Sequence, residues 1–221
     1  MNRRNLWIGA AVLGAGLIFW GVGQAVGPSS GDQEFQKSLD AMMQVKTFRA
    51  TFNATGYPSA RLWEVDCNRV IVHQQSGGGS DSDMKQEEVS VGDQRYMRDS
   101  GGSWENIGQE PGDRGSAKWY CEKVASGTAD LLPDMRTILS HGIPEKGDKK
   151  MVNGVRCREW KFDMRTAISS RVGSVCIGVD DHLPYEWNME GGVYSYSDFN
   201  RPIQIDTPGG TVQPASSTES N

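Results

Sequence analysis

Between Gln33 and Val45 the chain reads QEFQKSLDAMMQV, with Phe35, Leu39, Met42 and Met43 at i, i+4, i+7 and i+8. That spacing is one face of a helix, and Ser30 or Asp32 stands where a cap belongs. From Thr47 the pattern changes to β-branched and aromatic residues, TFRATFNATG, which predicts a strand ended by Pro58. The stretch RLWEVDCNRVIVHQQ, 61–75, alternates Leu62, Glu64 and Asp66 against Trp63, Val65 and Cys67, enough for one bent strand or two. Ser76 to Asp83 is a glycine- and serine-rich loop. Three short strands follow, separated by Gly92-Asp93 and Ser100-Gly101-Gly102, a meander. The residues 113–120 show no clear period. A second helix is predicted within GTADLLPDMRTILSHG, where Leu131, Leu132, Met135, Ile138 and Leu139 share a face, Pro133 fits the first turn and Gly142 the far end.

Four further strands are predicted after it. Asn153-Gly154 is a hairpin signal, 164–174 is a loop or hairpin end, and SVCIGV, YEWNM and VYSYSDF are each set off by turn residues. Consecutive hairpins imply one large antiparallel sheet with helices on one face, an α+β arrangement. From Thr207 the chain is polar and rich in Pro, Gly and Ser, so residues 207–221 are expected to be a disordered tail.

The N-terminus adds a different element. Arg3 and Arg4 precede an uncharged apolar run of 18 residues, Leu6 to Gly23. A bilayer-spanning helix needs roughly 20. Gly23-Gln24-Ala25 offers a cleavage site, so residues 1–26 read as a signal peptide or a signal anchor, followed by a linker at 27–31. If retained, residues 6–23 would tether the chain to the inner membrane, with the arginines on the cytoplasmic side. The expected location is extracytoplasmic, the periplasm. The linker, extended, reaches at most about 17 Å, which keeps the domain near the membrane surface.

Export gives the four cysteines a meaning. Cys67, Cys121, Cys157 and Cys176 have no CxxC spacing, which disfavours zinc, and an oxidising compartment suggests two disulfides. Four cysteines allow three pairings. Cys157 and Cys176 flank one connection between neighbouring strands, so they are paired here if they sit opposite each other, leaving Cys67 with Cys121. Four free buried thiols are the alternative.

The net charge of −5, with no basic patch interleaved with aromatics, excludes a nucleic-acid partner. Asp180-Asp181-His182 is the one dense polar cluster. Neighbours in an extended chain point to opposite faces, so the three cannot converge on one metal, and Leu183-Pro184 marks them as a turn. Asp81, Asp83, Glu87 and Glu88 lack the glycine and third ligand of a calcium loop and read as a solvated loop. There is no GxSxG and no phosphate-binding glycine loop. No enzymatic activity, no cofactor and no metal is expected.

The ordered succession of VKTFRATF, NRVIV, VGDQRYMRDSGGSWENI, LPDM, NGVRCREWKF, DDHLPYEW and YSYSDFNRPIQI resembles the periplasmic lipoprotein carriers of the LolA and LolB type. It looks closest to the branch with LppX and LprG. The resemblance covers residues 32–206. It implies an unclosed half-barrel, a strongly curved antiparallel sheet whose concave face is covered by helices, with an acyl-chain cavity between them. The chain departs from the pattern in lacking a lipobox and in carrying four cysteines.

On that reading Phe35, Leu39, Met42, Met43, Leu131, Leu132, Met135, Ile138 and Leu139 line the cavity as well as packing the core. The methionines suit irregular apolar shapes. The expected function is an exported binding protein that holds a lipid or an acylated protein, with possible membrane-surface contact. The alternative is a periplasmic interaction or sensor scaffold, whose barrel is filled by its own side chains and binds another protein.

Overall fold

The computed structural model describes residues 30–56, 60–77, 85–99, 101–108, 116–141, 144–165 and 170–212. The export segment 1–26, Pro58, Asp81, Asp83, Gly142 and the tail beyond 212 lie outside the described residues. No helix among the described residues is long and apolar enough to cross a membrane.

Two meanders form the sheet. The first runs β1 (Thr47–Ala54), β2 (Ala60–Asp66), β3 (Ile71–Gly77), β4 (Gln86–Val91), β5 (Gln94–Asp99) and β6 (Glu105–Gly108). The second runs β7 (Glu145–Val152), β8 (Val155–Arg165), β9 (Ser170–Gly178), β10 (Pro184–Met189) and β11 (Gly192–Ser197). Antiparallel pairing of β1 with β11 joins them into an 11-stranded sheet in the order β6-β5-β4-β3-β2-β1-β11-β10-β9-β8-β7. Among the described residues β6 and β7 remain edges, so the sheet does not close. The architecture is the α+β half-barrel expected from the sequence.

Turn chemistry sets the registers. Asn153 and Gly154 both have positive φ, the backbone of a two-residue β7–β8 hairpin. The 61–75 stretch resolves into two strands because Asp66 turns the chain, its Oδ1 accepting from the backbone N–H of Asn68 and Arg69.

Among the described residues three helices lie on one face: α1 (Ser30–Met42), α2 (Ala117–Ala125) and α3 (Met135–His141). The second predicted helix is shorter than expected. Asp134 caps it, accepting from Thr137 N, so Leu131, Leu132 and Pro133 form the turn before α3 rather than its first turn. Helix α2 was not legible in the unassigned stretch. Ser116 caps it, accepting from Trp119 N, and Ala117 and Val124 are its buried residues.

The alternation in β2 divides the sheet faces. Trp63 and Val65 enter the main core with the helices, while Glu64 turns to the other face. There Asp198, Arg49 and Glu64 are joined by ion pairs, and His73 hydrogen-bonds Glu64, a chain of polar contacts from β11's end to β3. Glu87 continues it to Arg98, and Arg98 to Asp206. Glu87 and Glu88 are therefore not part of a solvated loop. They sit on β4, paired with Arg98 and Arg95 respectively. The expected tail boundary at Thr207 also moves. β12 (Ile205–Thr207) and β13 (Gly210–Val212) form a hairpin, and Ile203 and Ile205 pack on Ile71 and Val89 as a second core. Burial of those two isoleucines holds the chain past the polar composition that suggested disorder.

Both disulfides are the expected ones, Cys67–Cys121 and Cys157–Cys176, with Cα–Cα distances of 5.3 and 5.5 Å. The β8–β9 pair is diagonal rather than directly opposed: Cys157 faces Gly178 and Cys176 faces Glu159. The first bridge ties α2 to the end of β2.

Candidate ligand-binding site

The concave face is an aromatic band. Across β8, β9, β10, β11 and β1, the register aligns Trp160, Val175, Trp187, Tyr194 and Phe52. Directly opposed residues on antiparallel strands share a face. Trp187 stacks on Tyr194 with centroids 5.4 Å apart, and Phe52 lies 4.6 Å from Tyr194 on its other side. One step along the strands, Tyr196 stacks beside Tyr194 at 6.3 Å.

The helices place their apolar faces against this band. Phe35, Leu39, Met42, Leu131, Leu132, Met135 and Ile138 are buried in one cluster with Trp63, Trp160, Phe162, Trp187 and Tyr196, and Met43 and Leu139 pack on its margin. All nine residues assigned to the cavity from sequence thus meet at the helix–sheet interface. Leu139 also lines a cavity of about 510 Å³ with Gln36 and Lys37, between α1 and α3. The sheet's contribution was not assigned from sequence. Its signal was present in the period-2 aromatics of VYSYS and EWKF, but those pointed only to a strand.

Polar atoms are unevenly served in this interior. Trp160 Nε1, Trp187 Nε1 and Tyr196 OH are buried and have no hydrogen-bond partner in the protein, as does Ser38 Oγ on α1. Buried donors are almost always paired, so these groups stand out as ones that the fold itself does not match. Burial pushes the Tyr196 hydroxyl well above its ordinary pKa and so keeps it a donor. Tyr120 is pushed up to about 12, first by burial and then by Asp130, Tyr194 and Glu88. Tyr194 is raised by burial, with Arg61 opposing and Asp130 adding. Asp130 and Glu88 therefore lie within electrostatic reach of Tyr120, and Arg61 and Asp130 within reach of Tyr194.

The Asp180-Asp181-His182 cluster is a turn whose members go to different partners. Asp181 accepts from Leu183 N and from Tyr185 OH, His182 Nδ1 meets Glu34 Oε1 at 2.8 Å, and Asp180 lies 3.8 Å from Arg156 on the surface. It pins the β9–β10 connection to α1. Among the described residues no group of three or more His, Cys, Asp or Glu side chains is arranged to hold a metal.

No family model matches the sequence, and no curated protein matches it. The fold is similar to the crystal structure of LprF from Mycobacterium bovis, with a TM-score of 0.58 over 80% of this chain and 95% of that one, at 11% identity. At that identity the likeness is one of fold, the unclosed antiparallel half-barrel.

Proposed function

We propose that the chain is an exported, non-enzymatic binding protein that holds the acyl portion of a lipid or lipidated protein between α1, α3 and the aromatic band. The observation that carries this reading is the set of orphaned donors inside an otherwise apolar interior. Trp187 Nε1 and Tyr196 OH offer hydrogen bonds to nothing in the protein. An ester or carboxyl group at the head of an acyl chain supplies the acceptors they lack, while the chain packs beside Trp187, Phe35 and Met135. The half-barrel likeness supports it, and the two disulfides support export. Retention of residues 6–23 as a tether is part of the same proposal.

A second reading rests on a separate observation. Seven of the nine expected lining side chains are buried in the same continuous cluster as the sheet aromatics, as in a filled scaffold that binds another protein.

Native mass spectrometry of the oxidised protein, set against its denatured mass, tests the first reading. A discrete excess mass released by solvent extraction as lipid is the expected result. A clean ligand-free mass, together with no uptake of a fluorescent fatty acid, would favour the filled scaffold.

A further inference from the structure

The cavity of about 250 Å³ between α1 and the β7–β8 edge has a character unlike the aromatic band. Its lining includes Lys37, Lys146, Lys149, Arg158 and Trp160, with Glu34 as the one carboxylate. Two of these lysines reach it through an irregularity. In a regular strand, residues three apart point to opposite faces. Here Lys146 pairs with Trp160 and Lys149 with Arg158, and the register shifts between the two pairs, at Gly147-Asp148. The bulge brings both lysines to the face of Trp160 and Arg158. Lys150, the next residue, points the other way and is held by Glu159 and Glu186.

The cations outnumber the carboxylate in this lining by four to one. Glu34 is engaged with His182. Lys37, Lys146 and Lys149 form no ion pair among the described residues. Arg158 is fixed at the bulge, its Nη1 donating to Gly147 O at 3.1 Å. The floor is Trp160, 3% exposed, whose indole N–H is buried without an acceptor. An indole nitrogen only donates, so an acceptor is what would satisfy it, and the four cations that line the cavity favour an anion of more than one charge. The first turn of α1 borders the same space, and its dipole has the same sign.

We infer that the α1/β7–β8 cavity is a phosphate-binding site, seating a phosphate group against Lys37, Lys146, Lys149, Arg158 and the Trp160 indole N–H. The phosphate comes as the headgroup of an anionic amphiphile or as a free ion. The first of these rests on the acyl-binding reading above, whereas the site itself does not.

The test follows the indole N–H resonances of the ¹⁵N-labelled, oxidised full chain, with Trp160 assigned through Trp160→Phe. The titrants are inorganic phosphate and, in a separate arm, short-chain phosphatidylglycerol below its micelle concentration. Uptake of a fluorescent fatty acid is read in parallel. The expected result is a saturable shift of the Trp160 resonance that weakens about tenfold or more in Lys146→Gln/Lys149→Gln and is retained in Lys146→Arg/Lys149→Arg. Both lysines are exposed, so these variants keep the fold, which the remaining amide spectrum verifies. A response to inorganic phosphate identifies the free ion as sufficient. A response to the lipid alone identifies the headgroup. No Trp160 shift with either titrant, or equal binding by the glutamine variant, overturns the site. Loss of fatty-acid uptake with the phosphate response intact removes only the acyl-binding reading.

Discussion

Replacing Tyr196 by Phe separates an interior that awaits a ligand from one that is complete. Tyr196 is 0% exposed, and its hydroxyl has no partner in the protein. Leaving a buried hydroxyl unpaired costs about 1–3 kcal/mol. Phenylalanine removes that cost and keeps the ring, with its contacts to Tyr194 and Phe199. The void left by one oxygen gives back part of the gain. In the delipidated, oxidised protein Tyr196→Phe should therefore be more stable by about 1 kcal/mol, seen as a higher urea midpoint at unchanged slope. With ligand the sign reverses. A bond from the hydroxyl to a lipid oxygen is worth about 1 kcal/mol, so the variant should bind about fivefold more weakly. Delipidation before unfolding is essential, because bound lipid stabilises the wild type by mass action. If the delipidated variant is instead less stable by about 1 kcal/mol or more, the hydroxyl already has a partner such as an internal water and is not free to meet a ligand.

Four other outcomes follow from particular contacts. In the chain-entropy picture, removing Cys67–Cys121, which closes 54 residues, costs about 4 kcal/mol, and removing Cys157–Cys176, which closes 19, about 3 kcal/mol. Cys→Ala pairs in urea measure this, and the reverse order would mean that packing around the buried Cys157–Cys176 bridge outweighs loop closure. A Cβ on Gly178 would collide with the Asp181 carboxylate, so Gly178→Ala should displace its bonds to Leu183 N and Tyr185 OH and cost about 2 kcal/mol, with little further loss when Asp181→Ala is added. Burial alone would raise the Glu64 pKa, but hydrogen bonds from His73 and Arg49 outweigh it and lower it. The contribution of Glu64 is then present above the ordinary carboxylate pKa and lost as pH falls through the lowered folded value, and Glu64→Gln should flatten the acid limb of the stability profile. Tyr120 has the opposite sign: its contribution is whole below its ordinary value of 10.0 and is lost as pH rises from there through about 12, a decline that Tyr120→Phe should remove from alkaline denaturation curves.

The phosphate site and the aromatic band meet at Trp160. Its ring packs edge-on against Phe35 at 6.1 Å, in the helix–sheet interior, while its side chain also lines the basic cavity. A ligand with an anionic head and an apolar tail is matched by that division of one residue between two environments. The close approach of α1 fixes the junction: a Cβ on Gly31 would lie 3.0 Å from Pro144 O and 3.4 Å from the Trp160 ring.

Local information sufficed where an element carries its own period or turn. The apolar face of α1, the alternation of β2, the Asn153-Gly154 hairpin and the succession of short strands were all legible, and with them the α+β sheet. The Asp180-Asp181-His182 turn was legible too, since adjacent side chains cannot converge. The Cys157–Cys176 pair was suggested by two neighbouring strands, and Cys67–Cys121 only as the remainder. What the sequence could not decide depends on contacts between distant residues. Helix α2 is held by a capping serine, two buried side chains and a disulfide to Cys67, 54 residues away, and its own period is weak. The hairpin at 205–212 exists because Ile203 and Ile205 find Ile71 and Val89, which no reading of a polar tail contains. The orphaned donors and the basic cavity belong to the same class. A tryptophan in a strand is only an apolar residue until the fold shows whether its N–H has an acceptor. Two lysines three apart point opposite ways until a bulge, set by pairing across β7 and β8, turns them to one face. Periodicity and turn propensity are properties of a short stretch of chain and can be read from it. Vacancy, convergence and burial are properties of the space between stretches, and only packing defines that space.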